Sequence, residues 1–264
     1  MKLPSRPLLV AGLLTFAAFG CAVEADDDVG DEKNVTNIAS ADSVAGISEV
    51  DGVDVTDPAA AASRFAAAST KPCRTRSIDA NDAKVVHVTL TACNDRFDRR
   101  VLTGHLTVSF SSNADGTLHV ESVSDDLTID GRPFRRAARA DVRADGARRI
   151  VTRHVEQSGT KKNGAAVTQT KDVTVEIDAA TRCRAEKGTA HAVLQGRTID
   201  STIEIRTCEA DSGEDLCPSG RIEHHHSDGK DVVITFDGSP TADVSIDNGR
   251  RPKERSWSLA CAAK

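Results

Sequence analysis

The chain has no tyrosine, one tryptophan and one methionine, and aromatic residues make up 3% of its 264 positions. So few rings offer no stacking platforms for bases, which argues against a nucleic-acid ligand, and they leave a thin core to be filled by Val, Ile and Leu. Long apolar runs are missing too. The longest, Leu8 to Phe19, has about a dozen residues, whereas crossing a hydrocarbon layer of about 30 Å takes roughly 20 residues of helix. No C-x-x-C pair occurs, so zinc held by paired cysteines is excluded. Equally absent are G-x-S-x-G, H-E-x-x-H, a phosphate loop and a Gly-rich dinucleotide fingerprint. Carboxylates are plentiful, but none stands in a spacing that singles out an acid/base pair. The sequence therefore reads as a non-enzyme without a cofactor; a hydrolase remains the remote alternative.

What is present begins at the N-terminus. Lys2 and Arg6 precede the apolar run, which ends at Gly20-Cys21. A charged start, a short apolar stretch and a small residue at the end form an export signal. Ala18-Phe19-Gly20-Cys21 resembles the lipobox of bacterial lipoproteins, in which the thiol is acylated and the signal is cut just before it. Leu is usual where Ala18 stands and a small residue where Phe19 stands, while Gly20 and Cys21 fit. The resemblance implies a signal over 1–20, lipid attachment at Cys21 and a membrane partner bound through acyl chains worth about 0.8 kcal/mol per buried CH₂. Ala22, and not Asp, after the cysteine implies the outer membrane of the cell envelope, on its periplasmic or surface side, by similarity to enteric lipoprotein sorting.

Charge then becomes one-sided. Residues 22–57 hold eleven acids and one base, Lys33, a balance of −10. The whole chain carries −6; without Lys2 and Arg6 it carries −8, so 58–264 carries +2 (−8 + 10). The acidic stretch contains neither Phe nor Trp and shows no apolar period, and it reads as a disordered, self-repelling tether over 21–57. The domain is 58–264.

Six cysteines remain there: Cys73, Cys93, Cys183, Cys208, Cys217 and Cys261. In an exported chain this even number predicts three disulfides. Number alone leaves the connectivity open; the arrangement Cys73 with Cys93, Cys183 with Cys208 and Cys217 with Cys261 is favoured because each pair flanks a stretch that reads as a hairpin.

Asp57-Pro58 followed by an alanine-rich run predicts one short N-terminal helix over 58–68. Thereafter the apolar period is two: Val86, Val88 and Leu90; Leu106, Val108 and Phe110; Val232, Ile234 and Phe236. Turns recur at Asp115-Gly116, Asp130-Gly131, Asn163-Gly164, Asp228-Gly229, Asp237-Gly238 and Asn248-Gly249. The expected fold is all-β, an antiparallel meander sheet of about ten to fourteen strands, extended or half-barrel-like. In Arg148–Val155 neither parity is cleanly apolar, which predicts a strand wet on part of both faces.

The segments GHLTVSF…DGTLHVESVSDDLTIDGRPF and CPSGRIEHHHSDGKDVVITFDGSPTADVSIDNGRRPKERSWSLAC look like β-meander domains of bacterial envelope lipoproteins over about residues 90–264. That resemblance implies the fold and supplies no chemistry. It leaves a structural or interaction module as the expected function, with an envelope protein as its partner.

Two features invite a ligand. In Glu223-His224-His225-His226, a three-residue loop with Gly229 in the left-handed region puts Ile222, His224 and His226 on one strand face. Two histidines so placed can share a metal, with Asp228 or Asp231 as third ligand. The arginines between 132 and 153, among them Arg135, Arg136, Arg139, Arg148, Arg149 and Arg153, could hold an anionic envelope polymer or lipid head group; their other reading is a solvated sheet surface. Ser111–Gly116 carries serine where a calcium loop needs aspartate and reads as a hairpin turn.

Overall fold

Alternation along the strands and a glycine at nearly every turn dictate a single continuous sheet. The computed structural model describes residues 57–68, 72–94, 101–161, 163–209, 216–249, 252–259 and 261; the expected signal over 1–20, Cys21 and the acidic stretch through residue 56 lie outside them. Helix α1, Pro58–Ala67, is followed by β1 Arg74–Ile78, β2 Val85–Asn94, β3 Val101–Ser112, β4 Leu118–Ser124, β5 Thr128–Ile129, β6 Arg132–Asp145, β7 Arg148–Thr160 and β8 Ala166–Asp178. Then come β9 Cys183–Leu194, β10 Arg197–Cys208, β11 Ser219–His226, β12 Asp231–Asp237, β13 Thr241–Asp247 and β14 Lys253–Ser258. They form a 14-stranded antiparallel sheet in sequence order, with only the two-residue β5 off the path, pairing β3 and β6. The sheet is open, with β1 and β14 as its edges.

Asp57 starts the helix as its sequence predicts. Its backbone is extended (φ −133°, ψ 113°), and its carboxylate accepts from the N–H of Ala59 at 2.8 Å and of Ala60 at 3.3 Å. Pro58 occupies a first-turn position where a missing N–H costs nothing. The helix buries Ala61, Ala62 and Phe65, with the Phe65 ring 5.7 Å from that of Phe110 and the Arg76 guanidinium 3.9 Å above it.

Directly opposed residues of antiparallel strands share a face, so the register divides the sheet into a covered and an open side. The covered side holds two apolar clusters. One joins α1 to β2–β8 through Phe65, Val86, Leu106, Phe110, Leu118, Val142, Val151 and Val175. The other joins β10–β14 through Ile205, Ile222, Val232, Ile234, Phe236 and Val244. Each of these side chains contributes about 1.5–3 kcal/mol by burial.

The predicted disulfides form: Cys73–Cys93, Cys183–Cys208 and Cys217–Cys261. Gly229 at φ 82° closes the predicted three-residue loop, and His226 N–H donates to Lys230 O at 2.9 Å. Two turns had escaped the sequence reading. Gly146 (φ 59°) links β6 to β7, and Gln195-Gly196, both at positive φ (54° and 79°), links β9 to β10.

The expectation for Arg148–Val155 is corrected. Val151, Arg153 and Val155 of β7 are all buried and Arg149 is partly so, because they share the covered face with Val142, Ala140 and Ala138 of β6. The strand is wet on one side only.

Gly188 marks a close approach of β8 and β9. A Cβ there would stand 2.1 Å from the Asp172 carbonyl oxygen and 2.6 Å from Val173 Cα, both backbone atoms with no room to swing away. Gly188→Ala is expected to destabilise the domain by about 1–3 kcal/mol through forced strand separation. The check is a lower urea midpoint at constant slope; an unshifted midpoint would show that β8 yields without strain.

Candidate functional site

Between the two apolar clusters the covered face turns polar. In register across β6–β10 lie Arg136, Gln157 and Gln169; then Ala138, Val155, Lys171, Ala190 and Ser201; then Ala140, Arg153, Val173 and Gly188. The Gln157 amide donates to Gln169 Oε1 at 2.8 Å within the buried layer. Beyond Gly188 the row Val142, Val151, Val175 continues to Glu186, flanked by Arg184. Lys171 and Glu186 are two rows apart, and between them stands Gly188, which has no side chain. Lys171 Nζ donates to Glu186 Oε1 at 2.7 Å, and Arg184 Nη2 lies 3.7 Å from Oε2.

This geometry sets the charge of Glu186. Burial alone would push its pKa up. The positive charges of Lys171 and Arg184, the hydrogen bond from Lys171 and the charge of Arg153 overcome that and bring it to about 2. It is an anion at every physiological pH.

Besides Arg132, which donates to Asp130 at 3.2 Å, the covered face of β6–β9 carries Arg136, Arg149, Arg153, Lys171 and Arg184. Glu186 is the one acid at a covered position of any strand among the described residues. The acids of the same strands point the other way: Asp141, Glu156, Asp172, Glu176, Asp200 and Glu204 are all on the open face.

The arginines proposed from sequence as one anion site are thus split by strand alternation. Arg136, Arg149 and Arg153 lie on the covered face; Arg135, Arg139 and Arg148 lie on the open face, Arg148 at 3.9 Å from Asp178. The reading of the whole stretch as solvated is corrected for Arg136 and Arg153, which are buried. Lys171, Arg184 and Glu186 had not been singled out. The available signal was parity, charged residues two apart among Ala, Val and Gly, and it becomes legible only once the β6–β7 and β9–β10 turns fix which parity is covered.

His224 and His226 share the covered face as predicted, opposite Ser201 and Ile199. His224 Nδ1 lies 2.8 Å from Ser201 Oγ in the buried layer. The third ligand suggested by the sequence does not join them. Asp231 faces the open side, 2.8 Å from His225 Nδ1, and Asp228 lies 3.6 Å from Arg197. Among the described residues no group of three or more His, Cys, Asp or Glu is placed to hold a metal.

The six other histidines all stand on the open face, each beside an aspartate: His87 with Asp79 at 2.9 Å, His105 with Asp126 at 2.9 Å and His119 with Asp141 at 2.7 Å. His154 with Asp172 at 2.6 Å, His191 with Asp200 at 2.7 Å and His225 with Asp231 at 2.8 Å complete the set. Burial lowers the pKa of His119, but hydrogen bonds to Asp141 and Glu121 override it and raise the group. His154 is raised by hydrogen bonds to Asp172 and Glu156, and His225 by its bond to Asp231. These pairs moderate an acidic surface. An open-face depression of about 660 Å³ over β8–β11 is lined by Glu176, Glu204, Lys187, Arg206 and Arg221; its charges are mixed, with Lys187 3.8 Å from Glu204.

The geometry therefore places a basic row on the covered face and an acidic, histidine-studded surface on the other. No family model matches the sequence, and comparison with curated proteins and with solved structures gave no significant match.

Proposed function

We propose that this chain is a lipid-anchored protein of the bacterial cell envelope whose β domain is a structural or interaction module without catalytic activity. The observation that carries the reading is the N-terminal order of charged start, short apolar run and Gly20-Cys21, followed by a stretch of −10 and then the domain. The three closed disulfides support it, since such bonds persist in oxidising compartments outside the cytosol. Two or three acyl chains on Cys21 would anchor the protein durably, and the acidic stretch would set the distance between bilayer and sheet.

The test is metabolic labelling with a fatty-acid probe in the native host, combined with fractionation. Label and membrane association are expected to disappear together in Cys21→Ser. Label that persists in that variant would sink the anchoring claim.

A further inference from the structure

Arg135, Arg139 and Arg143 are exposed on the open side of β6. The carboxylates nearest to them in register are held elsewhere: Glu121 lies 3.4 Å from His119, Asp141 accepts from Asn113 at 3.0 Å and lies 2.7 Å from His119, and Glu156 lies 3.0 Å from His154. None of the three guanidinium groups forms an ion pair or a hydrogen bond among the described residues. Each arginine stands four residues from the next, about 13 Å along the strand.

The opposite charge collects at the far end of the same face. The open positions of β12, β13 and β14 carry Asp231, Asp237, Asp243, Asp247 and Glu254 and no base. Asp231 and Asp247 stand directly opposite each other, and like charges so placed repel. A guanidinium lying between them would turn that repulsion into charge-assisted hydrogen bonds. Asp231 bonds His225 on its other side at 2.8 Å, while Asp243 and Asp247 have no cationic partner among the described residues. These two are again four residues apart on one strand.

The chain cannot bring the two patches together by itself. Seven strand spacings separate β6 from β13, about 34 Å, several times the screening length of about 8 Å at physiological salt. A sheet also twists by about 20–25° per strand, so that over seven spacings the patches turn about 140–175° away from each other. A partner copy that covers one patch therefore leaves the other free, which is the head-to-tail kind of contact.

We propose that the open face is a self-association surface, on which Arg135, Arg139 and Arg143 of one copy dock against Asp231, Asp243 and Asp247 of the next. The guanidinium groups meet carboxylates of matching spacing along the strand, and each copy offers one basic and one acidic patch, so that copies join into rows. This names the partner of the interaction module and rests on that part of the proposed function alone. Association in solution requires no acyl group, so its failure and the failure of lipid anchoring are read separately.

The experiment uses residues 21–264 with Cys21→Ser and two variants of that chain. One carries Arg135→Gln, Arg139→Gln and Arg143→Gln; the other carries Asp231→Asn, Asp243→Asn and Asp247→Asn. By sedimentation velocity at about 0.05 M salt, where charges act over more than 10 Å, the mean mass of the unchanged chain is expected to rise with concentration. It should reach at least about twice that of the monomer near about 0.5 mM, the range of a small, weak interface. At about 1 M salt it should fall back to the monomer. Each variant alone is expected to stay monomeric. Mixed in equal amounts they should form pairs and nothing longer, since one retains its acidic patch and the other its basic one.

An unchanged chain that stays monomeric at low salt would overturn the proposal. So would rows formed by either variant alone, or a mixture of the two that does not pair. A monomeric unchanged chain that binds polyglutamate through these arginines would give them to an external anionic polymer instead, and that too overturns it.

Discussion

Reduction of the three disulfides is expected to unfold the domain near 37 °C. The bridges close stretches of 20, 25 and 44 residues. On the chain-entropy account these correspond to about 3–4 kcal/mol each, about 10 kcal/mol together since the loops do not overlap. That is comparable to the whole stability of an ordinary domain, about 5–15 kcal/mol. Their positions raise the effect further. Cys73–Cys93 fastens the entrance of β1, one edge of the sheet, and Cys217–Cys261 fastens the segment after β14, the other edge. An edge strand has one neighbour and frays first. Cys183–Cys208 joins directly opposed residues of β9 and β10, at the seam between the two apolar clusters. Thermal unfolding by circular dichroism, with and without a reductant, is expected to show the midpoint falling by at least about 20 °C. A fall of only a few degrees would mean that the sheet's own packing suffices.

The same placement explains why so much of the fold was legible. Hairpin signals and cysteines lie side by side in the chain: Asp228-Gly229 fixes the β11–β12 register, and that register alone put Ile222, His224 and His226 together. Val232, Ile234 and Phe236 alternate with Asp231, Val233, Thr235 and Asp237 and are buried. The middle strands lacked such clean alternation. On β7 the covered positions are Arg149, Val151, Arg153, Val155 and Gln157, a mixture that pattern reading takes for a wet surface. Of the turns that settle the parity, Asp145-Gly146 carries the ordinary Asp-Gly signal, whereas Gln195-Gly196 is obscure, since Gln is not a usual residue for positive φ. Glu186 was hidden for the further reason that its meaning depends on Lys171, fifteen residues earlier and one strand away. The domain's near neutrality concealed the rest, because a small net charge does not reveal that the two signs lie on opposite faces.

Glu186 is where that separation bears most directly on stability. Glu186→Gln keeps the volume and removes the only carboxylate that the described strands place on the covered face. Lys171 then loses the negative charge of its 2.7 Å partner, and the positive charges of Lys171, Arg153 and Arg184 lie near one another without it. Breaking one side of a buried pair costs about 3–5 kcal/mol, and that loss is expected at pH 7 by urea unfolding. Replacing both partners, Lys171→Met with Glu186→Met, should recover most of it, because neither charge is then left in the layer alone.

The pH dependence follows in sign from the same group. Its folded pKa, about 2, lies below the unfolded value of 4.5, so its contribution, about 3 kcal/mol, is fully present above pH 4.5 and is lost as the pH falls toward 2. Unchanged protein should therefore lose stability across that window more steeply than Glu186→Gln, whose stability there reflects the remaining acids alone. Parallel curves for the two proteins between pH 5 and pH 2, or a Glu186→Gln midpoint equal to that of the unchanged chain at pH 7, would show that anions other than Glu186 neutralise Lys171 and Arg184.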